Sequence, residues 1–136
     1  MIKPTGISVQ IKAPRINTNI QQPIQKSLYQ SAFLVRRDAS RNAPYKSGTL
    51  RRSIVEKVYT NKAEIWTNVA YANIQEYGGV VNAKSKRGLR FKVNGRWVIA
   101  KKVVIPARPY LVPALENNMQ KIIDIFSSNI QKYLAQ

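Results

Sequence analysis

The chain has 136 residues, enough for a single domain over residues 1–136 with one modest core, and 44% of them are hydrophobic. It contains no Cys and no His, which excludes disulfides, thiolate metal sites and the commonest general base of enzymes. Lys and Arg number 23 against 6 Asp and Glu, and this formal net charge of +17 indicates an anionic partner, either nucleic acid or an acidic neighbouring protein.

Residues 1–18 form a polar N-terminal segment with a short alternating pattern. Ile7, Val9 and Ile11 alternate with polar residues, which is the period of a half-buried strand. We therefore expect either an edge strand or a terminal segment that becomes ordered against a partner.

The first helix is predicted from about residue 20 to residue 42, where apolar residues recur at three- and four-residue spacing. Pro23 suits the first turn of this helix. Pro44 ends it, because the residue before a proline is biased out of the helical region. The apolar stripe comprises Ile24, Leu28, Ala32, Val35 and Ala39, widened by Tyr29 and Phe33.

A turn at Pro44 and Gly48 leads into a short helical turn that contains Leu50 and Arg51. A first hairpin follows, with strands predicted at residues 53–59 and 63–69 because β-branched and aromatic residues are frequent there. Both strands are expected to be half-buried at best. Residues 70–79 then predict a second short helical turn, which glycine ends.

A second hairpin is predicted around Asn94-Gly95, the strongest turn signal in the chain. Its strands cover residues 89–93 and 96–99, and an exposed loop at residues 82–88 precedes them. Aromatic and basic residues are interleaved here, a pattern that can indicate base stacking. The alternative, which we favour, is that Phe91, Val93, Trp97 and Ile99 face the core while the charges face water.

The same region is strongly basic, since no acid occurs from Tyr77 to Leu115. We expect these cations to contact DNA or an acidic partner. They are Lys84, Lys86, Arg87, Arg90, Lys92, Arg96, Lys101 and Lys102.

A proline-rich corner joins the strands to the last helix. Its three prolines within eight residues cannot lie inside a sheet, because each removes a backbone donor. A helix is predicted from about residue 110 to residue 134, with the apolar stripe Leu115, Met119, Ile122, Phe126, Ile130 and Tyr133, broadened by Ile123 and Ile125. The predicted class is α+β, with a small antiparallel sheet of two hairpins packed against long N-terminal and C-terminal helices.

No motif for catalysis is present. The glycines lack the spacing of a phosphate-binding loop, and no carboxylate cluster is spaced to hold magnesium or to drive acid–base chemistry. No apolar stretch approaches the ~18 residues of a membrane span. We therefore expect no enzyme activity, no catalytic, cofactor or metal site, and no membrane contact.

Three sequence blocks together resemble the neck or tail-completion proteins of tailed bacteriophages, the gene-product-ten-like group related to minor tail protein Z. The first block covers residues 43–54, the second residues 71–79 and the third residues 106–115. The residues that carry the resemblance are Pro44, Gly48, Leu50, Arg51, Ser53, Ile54, Tyr71, Glu76, Gly78, Gly79, Pro106, Arg108, Pro109, Tyr110 and Pro113.

The resemblance implies a structural virion protein that forms a ring of six or twelve copies around the DNA channel at the head–tail junction. Its implied partners are head connector or head-closure proteins, tail terminator or tail-tube proteins, and packaged DNA. It implies assembly in the host cytoplasm and a place in the neck of the virion. Within the motifs, Gly48 and Gly78 would be turn positions, Leu50 and Ile54 packing positions, and Glu76 the partner of a basic residue such as Arg51 or Arg108. The alternative function is sequence-independent nucleic-acid binding by a monomer or dimer.

Overall fold

The computed structural model describes residues 6–13, 20–44, 48–69 and 72–135, and a three-stranded antiparallel sheet lies at its centre. The strands are β1 (Ile7–Lys12), β2 (Val55–Val58) and β3 (Lys62–Thr67), in the order β1-β3-β2. The N-terminal pattern therefore forms an edge strand, as one of its two interpretations predicted. In β3, Ala63, Ile65 and Thr67 share one face and are buried, as a half-buried strand requires. The expectation that the first hairpin is half-buried at best is wrong for β3 only at Glu64, which is buried on the opposite face.

Helix α1 (Gln21–Asn42) packs across this sheet and confirms the first predicted helix. The five residues of its predicted stripe, from Ile24 to Ala39, are buried. Tyr29 and Phe33 do not widen the buried face but remain exposed on the outer side of the helix. The Arg36 guanidinium lies over the Phe33 ring, 5.3 Å from its centroid.

Two buried serines on α1 provide a test of the packing, because only one of them is hydrogen-bonded. The Ser27 hydroxyl donates to the Pro23 carbonyl at 2.7 Å and accepts from the Asn129 amide at 2.9 Å. The Ser31 hydroxyl, one turn later and also fully buried, has no hydrogen-bond partner among the described residues.

We expect Ser31→Ala to stabilise the protein by about 1 kcal/mol, because an unsatisfied buried hydroxyl is removed. Ser27→Ala should destabilise it by about 1 kcal/mol or more, because two hydrogen bonds are lost. The two variants delete the same atom from the same helix, so each controls for the other. Urea unfolding midpoints give both values, and shifts of equal sign would contradict the hydrogen-bond assignment.

Two short helices connect these elements, α2 (Thr49–Ser53) and α3 (Ala72–Tyr77). The C-terminal helix was predicted as one element, but it is divided into α4 (Val112–Glu116) and α5 (Met119–Leu134). The division falls at Asn117 and Asn118. Asn118 is buried there, and its side-chain amide donates to the Ala114 carbonyl at 2.6 Å and to Asp38 at 2.8 Å.

The core lies between α1, the central sheet and the two C-terminal helices. Leu50, Ile54, Tyr110 and Leu111 join it from the connecting segments, and Ile122 joins it from α5. The predicted α+β class, with helices in the N-terminal and C-terminal regions and small antiparallel sheets, is confirmed. In the described part of the chain, no helix has the length and apolar character needed to span a membrane.

The remaining strands form a separate two-stranded ribbon, which we call the arm. It consists of β4 (Gly79–Asn82), β5 (Leu89–Val93), β6 (Arg96–Ala100) and β7 (Lys102–Ile105). Strand β4 pairs with β7 and β5 pairs with β6, so one hairpin continues into the other. Residues 83–88, the bulge loop, interrupt one side of the ribbon only. At about 3.3 Å per residue, the ten residues of its other side give the arm a length of about 30 Å.

Candidate functional site

The arm lies outside the core. Trp97 and Ile99 are 58% and 68% exposed, so the expectation that they face the core is wrong. The side chains of Phe91 and Val93, which were expected there too, lie outside the described residues. The pattern of a hairpin is local, whereas burial depends on whether another element covers it, and no helix of the described chain packs on β5 or β6.

One face of the arm tip (residues 89–100) combines aromatic, aliphatic and basic side chains. Arg90 lies opposite Ile99 and Lys92 lies opposite Trp97, which places all four on one face. The Arg90 guanidinium and the Lys92 ammonium stand 4.5 Å and 5.0 Å from the centroid of the Trp97 ring. These distances are those of cation–π contacts, so the indole is held in place although it is exposed.

The eight predicted cations of the arm are all exposed, and no ion pair joins any of them to another described residue. Lys84, Lys86 and Arg87 lie in the bulge loop, and the other five lie along the ribbon. The Ala83 amide donates to the Lys101 carbonyl at 2.7 Å, which holds the bulge loop against the opposite strand. The arm therefore presents a dense positive charge away from the core.

The root of the arm is held by Glu76, which is 1% exposed. One carboxylate oxygen accepts from the Tyr110 amide at 2.9 Å, and the other accepts from the amides of Leu111 and Val112 at 2.7 Å and 3.0 Å. The expected pairing of Glu76 with Arg51 or Arg108 is not formed. The amides that lead into α4 have no acceptor within that helix, and the buried carboxylate satisfies them without the desolvation of a guanidinium.

Further contacts fasten the segment before the arm to the segment after it. The Tyr110 hydroxyl donates to the Ala72 carbonyl at 3.0 Å, and the Arg108 amide donates to the Gln75 carbonyl at 2.8 Å. Gly78 has a φ of +72°, and a Cβ there would lie 2.8 Å from the Ala107 nitrogen. Glycine is therefore required where the chain leaves α3, and α3 and the proline corner form one clamp.

The first sequence block lies on the other side of the same core. Gly48 begins α2 with a φ of +79°, and Leu50 and Ile54 are buried in the core cluster. The Arg51 guanidinium donates to the Ala43 carbonyl at 2.9 Å, and the Ser53 hydroxyl lies 2.6 Å from that of Thr67. Tyr71 of the second block lies outside the described residues.

The remaining residues that carried the predicted resemblance lie at or near the surface. Pro44 and Pro113 are half-buried, and Gly79, Pro106, Arg108 and Pro109 are exposed.

The comparison with known families identifies a segment that contains the first block and all but the last residue of the second. Residues 12–78 match the HK97-gp10-like family model, described as "Bacteriophage HK97-gp10, putative tail-component". Over this segment, which is just under half of the chain, the sequence is similar to the HK97-gp10-like family. The predicted resemblance to phage neck and tail proteins is therefore confirmed at the level of a phage tail component. No curated protein and no solved structure matches the chain.

The HK97-gp10-like match ends at Gly78, where the arm begins. The matched segment begins at the last residue of β1 and supplies α1, α2, β2, β3 and α3, which contribute most of the core. The arm, the proline corner and the C-terminal helices follow it. Glu76 connects the two parts, since its backbone belongs to the matched segment and its hydrogen bonds reach residues 110–112.

The partly buried Asp38 and the buried Asn118 form a second connection that the sequence analysis missed. Asn118 joins α1 to the division between α4 and α5 through Asp38. The hydrogen bond from Asn118 lowers the pKa of Asp38, and Arg37 contributes in the same direction, against the effect of burial. The only sequence signal was the pair of asparagines inside an otherwise apolar helical pattern.

Among the described residues, no group of three or more His, Cys, Asp or Glu side chains is arranged to hold a metal ion. Asp38, Glu56 and Glu64 each pair with a cation, and Glu76 binds backbone amides. What the site offers instead is a positively charged ribbon with an exposed tip and a firmly held root. Such an arrangement suits binding and assembly.

Proposed function

We propose that this HK97-gp10-like protein forms a homo-oligomeric ring at the head–tail junction of the virion, around the DNA channel. The observation that carries the proposal is the arm, which presents eight cations and no acid outside the core. A ring around packaged DNA needs positive charge on its inner surface to offset the phosphates. The family of phage tail components supports a structural role, and the lack of His and Cys supports a role without catalysis.

The partners of such a ring follow from its place in the virion. Head connector or head-closure proteins would contact one side, and tail terminator or tail-tube proteins the other. Six or twelve copies would match the symmetry of those neighbours. The protein would assemble in the host cytoplasm and remain in the neck.

Within the arm, the bulge loop is the part best suited to contact DNA. Lys84, Lys86 and Arg87 lie within four residues of one another and carry no ion pair with a described residue. The loop projects from one side of the ribbon, so it can reach a phosphate backbone while the tip makes other contacts. Backbone contacts of this kind are independent of base sequence.

A second candidate function is sequence-independent nucleic-acid binding by a monomer or dimer. The exposed Trp97 favours it, because an exposed indole with cations beside it is a suitable platform for an unpaired base. The two functions differ in particle size. A ring in solution or in virions supports the first, and a monomer with salt-dependent duplex affinity supports the second.

The DNA contact is tested by replacing Lys84, Lys86 and Arg87 with Ser. For three lost phosphate contacts, the slope of log affinity against log salt should fall by about 2.7 on duplex DNA. Ring assembly, measured by native mass spectrometry, should not change, and particles with the variant should lose DNA retention. Fluorescence anisotropy between 50 and 200 mM salt (about the range over which such contacts are lost) gives the slope.

The matched control replaces Lys26, Lys121 and Lys132 with Ser, three exposed cations of α1 and α5 that change the net charge equally. Their loss should leave the slope nearly unchanged. If both triple variants give the same slope, or if phage with the bulge-loop variant show normal infectivity, the proposed contact between the bulge loop and DNA is wrong.

A further inference from the structure

An apolar groove opens between β1 and α5 on the side of the molecule formed by the edge of the central sheet. Its volume is about 660 Å³, within the range of ligand and docking pockets. Ile11 and Ile122 lie buried at its floor, while Met119 and Ile123 are half exposed on its wall. The core is therefore open to solvent along this line, and its apolar surface is available to an occupant.

No described strand pairs with the outer edge of β1, which lies beside the groove. The Ala13 amide donates to the Asn61 carbonyl at 2.8 Å, so the odd-numbered residues of β1 make the hydrogen bonds to β3. The backbone groups of Ser8, Gln10 and Lys12 consequently point away from the sheet. Gln10 and Lys12 also line the groove. An extended segment that enters the groove can therefore pair with β1 while its side chains pack on α5.

The arm tip has the complementary shape and chemistry. It is an extended hairpin, and its exposed apolar side chains Trp97 and Ile99 remain uncovered in a single copy. The clamp at Glu76 fixes the direction in which the arm leaves the core. The tip and the groove are thus two different apolar surfaces of one chain, each without an occupant among the described residues.

Acidic side chains flank the groove, although the one charged side chain among its lining residues is Lys12. The tip carries Arg90, Lys92 and Arg96 and no acid. Of the six acids, only Glu116 and Asp124 pair with no cation and no backbone clamp in the described structure, and both lie on the helices that form the groove wall. Because an α-helix has 3.6 residues per turn, Lys121 and Lys132 lie on the opposite side of α5 from Ile123. Lys12 stands on the opposite wall.

We propose that the arm tip of one copy lies in the β1–α5 groove of a second copy of this chain. Trp97 and Ile99 pack against Met119 and Ile123, and the tip cations face Glu116 and Asp124. Because the two surfaces differ, the contact is heterologous and repeats from copy to copy, closing a ring where the rotation permits. The inference rests on the proposed ring and names the surfaces that build it.

Cross-linking tests the contact directly, because the chain has no Cys of its own. Unlabelled Ile99→Cys protein is mixed with nitrogen-15-labelled Ile123→Cys protein and oxidised with diamide. The matched control pairs Val104→Cys with Ile123→Cys, since Val104 is 68% exposed like Ile99 but lies at the arm root. Mass spectrometry of the digested dimers identifies the linked peptides, and native mass spectrometry gives the size of the unoxidised assembly.

We expect the 99–123 disulfide to exceed the 104–123 disulfide at least about fivefold within a ring. A ring with equal yields, or with neither disulfide, overturns the contact and leaves the ring standing; the groove would then hold another occupant, such as residues 14–19 of the same chain. A selective 99–123 disulfide in dimers or open chains supports the contact and overturns the ring. Protein that stays monomeric and shows no selective disulfide overturns both.

Fluorescence gives a second measurement that needs no cross-link. The chain has two tryptophans, so Trp66→Phe leaves Trp97 as the only indole. If the tip enters a groove, the emission of Trp97 should shift to shorter wavelength as concentration drives assembly. An assembled sample whose emission matches that of the dilute monomer contradicts the proposal.

Discussion

Replacing Glu76 with Gln is expected to lower the free energy of unfolding by about 3 kcal/mol. Its carboxylate accepts three backbone hydrogen bonds in a buried position, and hydrogen bonds to charged groups each contribute about 1.5–3 kcal/mol. Gln keeps one acceptor oxygen but directs an amide donor at the remaining amides. For a chain of this length the melting temperature should fall by roughly 10 °C, which thermal unfolding monitored by circular dichroism measures.

The control for this prediction is Glu56→Gln. Glu56 pairs with Arg36 at the surface, and such pairs contribute about 0–1 kcal/mol. Both variants remove one negative charge, so a difference between them reports the buried clamp and not the net charge. If Glu76→Gln is no more destabilising than Glu56→Gln, the clamp does not hold the arm root as the structure indicates.

Replacing Trp97 and Ile99 together with Ser is expected to weaken assembly strongly without unfolding the chain. Both side chains are exposed in a single copy, and substitutions at such sites usually change stability by less than about 0.5 kcal/mol. If they are anchors in the neighbouring groove, their loss should weaken each contact by about 3 kcal/mol, or roughly 100-fold. Analytical ultracentrifugation over a concentration series measures the weakening, and urea unfolding checks the fold.

Tyr29→Ser with Phe33→Ser is the matched control. These two aromatic side chains are also exposed, but they lie on the outer face of α1. We expect the control variant to assemble as the unmodified chain does. Loss of assembly in the control alone would place the interface on α1. Normal assembly of the Trp97 and Ile99 variant would show that the arm tip is not part of the interface.

Elements that depend on local patterns were predictable from the sequence. The stripe from Ile24 to Ala39 identified α1 within one residue at its start, because a period of 3.6 residues buries one side of a helix. Asn94-Gly95 located the β5–β6 hairpin, because Asn94 and Gly95 both adopt the positive φ that this turn requires. The alternation at Ile7, Val9 and Ile11 predicted β1 but not its partner.

Elements whose environment depends on distant residues were not predictable. The Trp97 and Ile99 pattern is the same whether a helix covers the hairpin or not, so the sequence could not show that the arm projects from the core. Strands β4 and β7 pair across the bulge loop and the arm tip, so their pairing joins residues 20 to 26 positions apart (102 − 82 to 105 − 79) and has no local pattern. The division between α4 and α5 depends on Asp38, which lies 80 positions from Asn118 and accepts its hydrogen bond.

Charge, composition and local period were therefore enough to determine a basic α+β protein without the usual catalytic groups, and its three sequence blocks were enough to indicate the family. The tertiary structure alone decided what those blocks do together. Glu76 can satisfy the amides at residues 110–112 only because the arm is a hairpin that brings those residues back beside α3. A buried carboxylate takes whichever donors the fold brings within about 3 Å, and no spacing in the sequence records that distance.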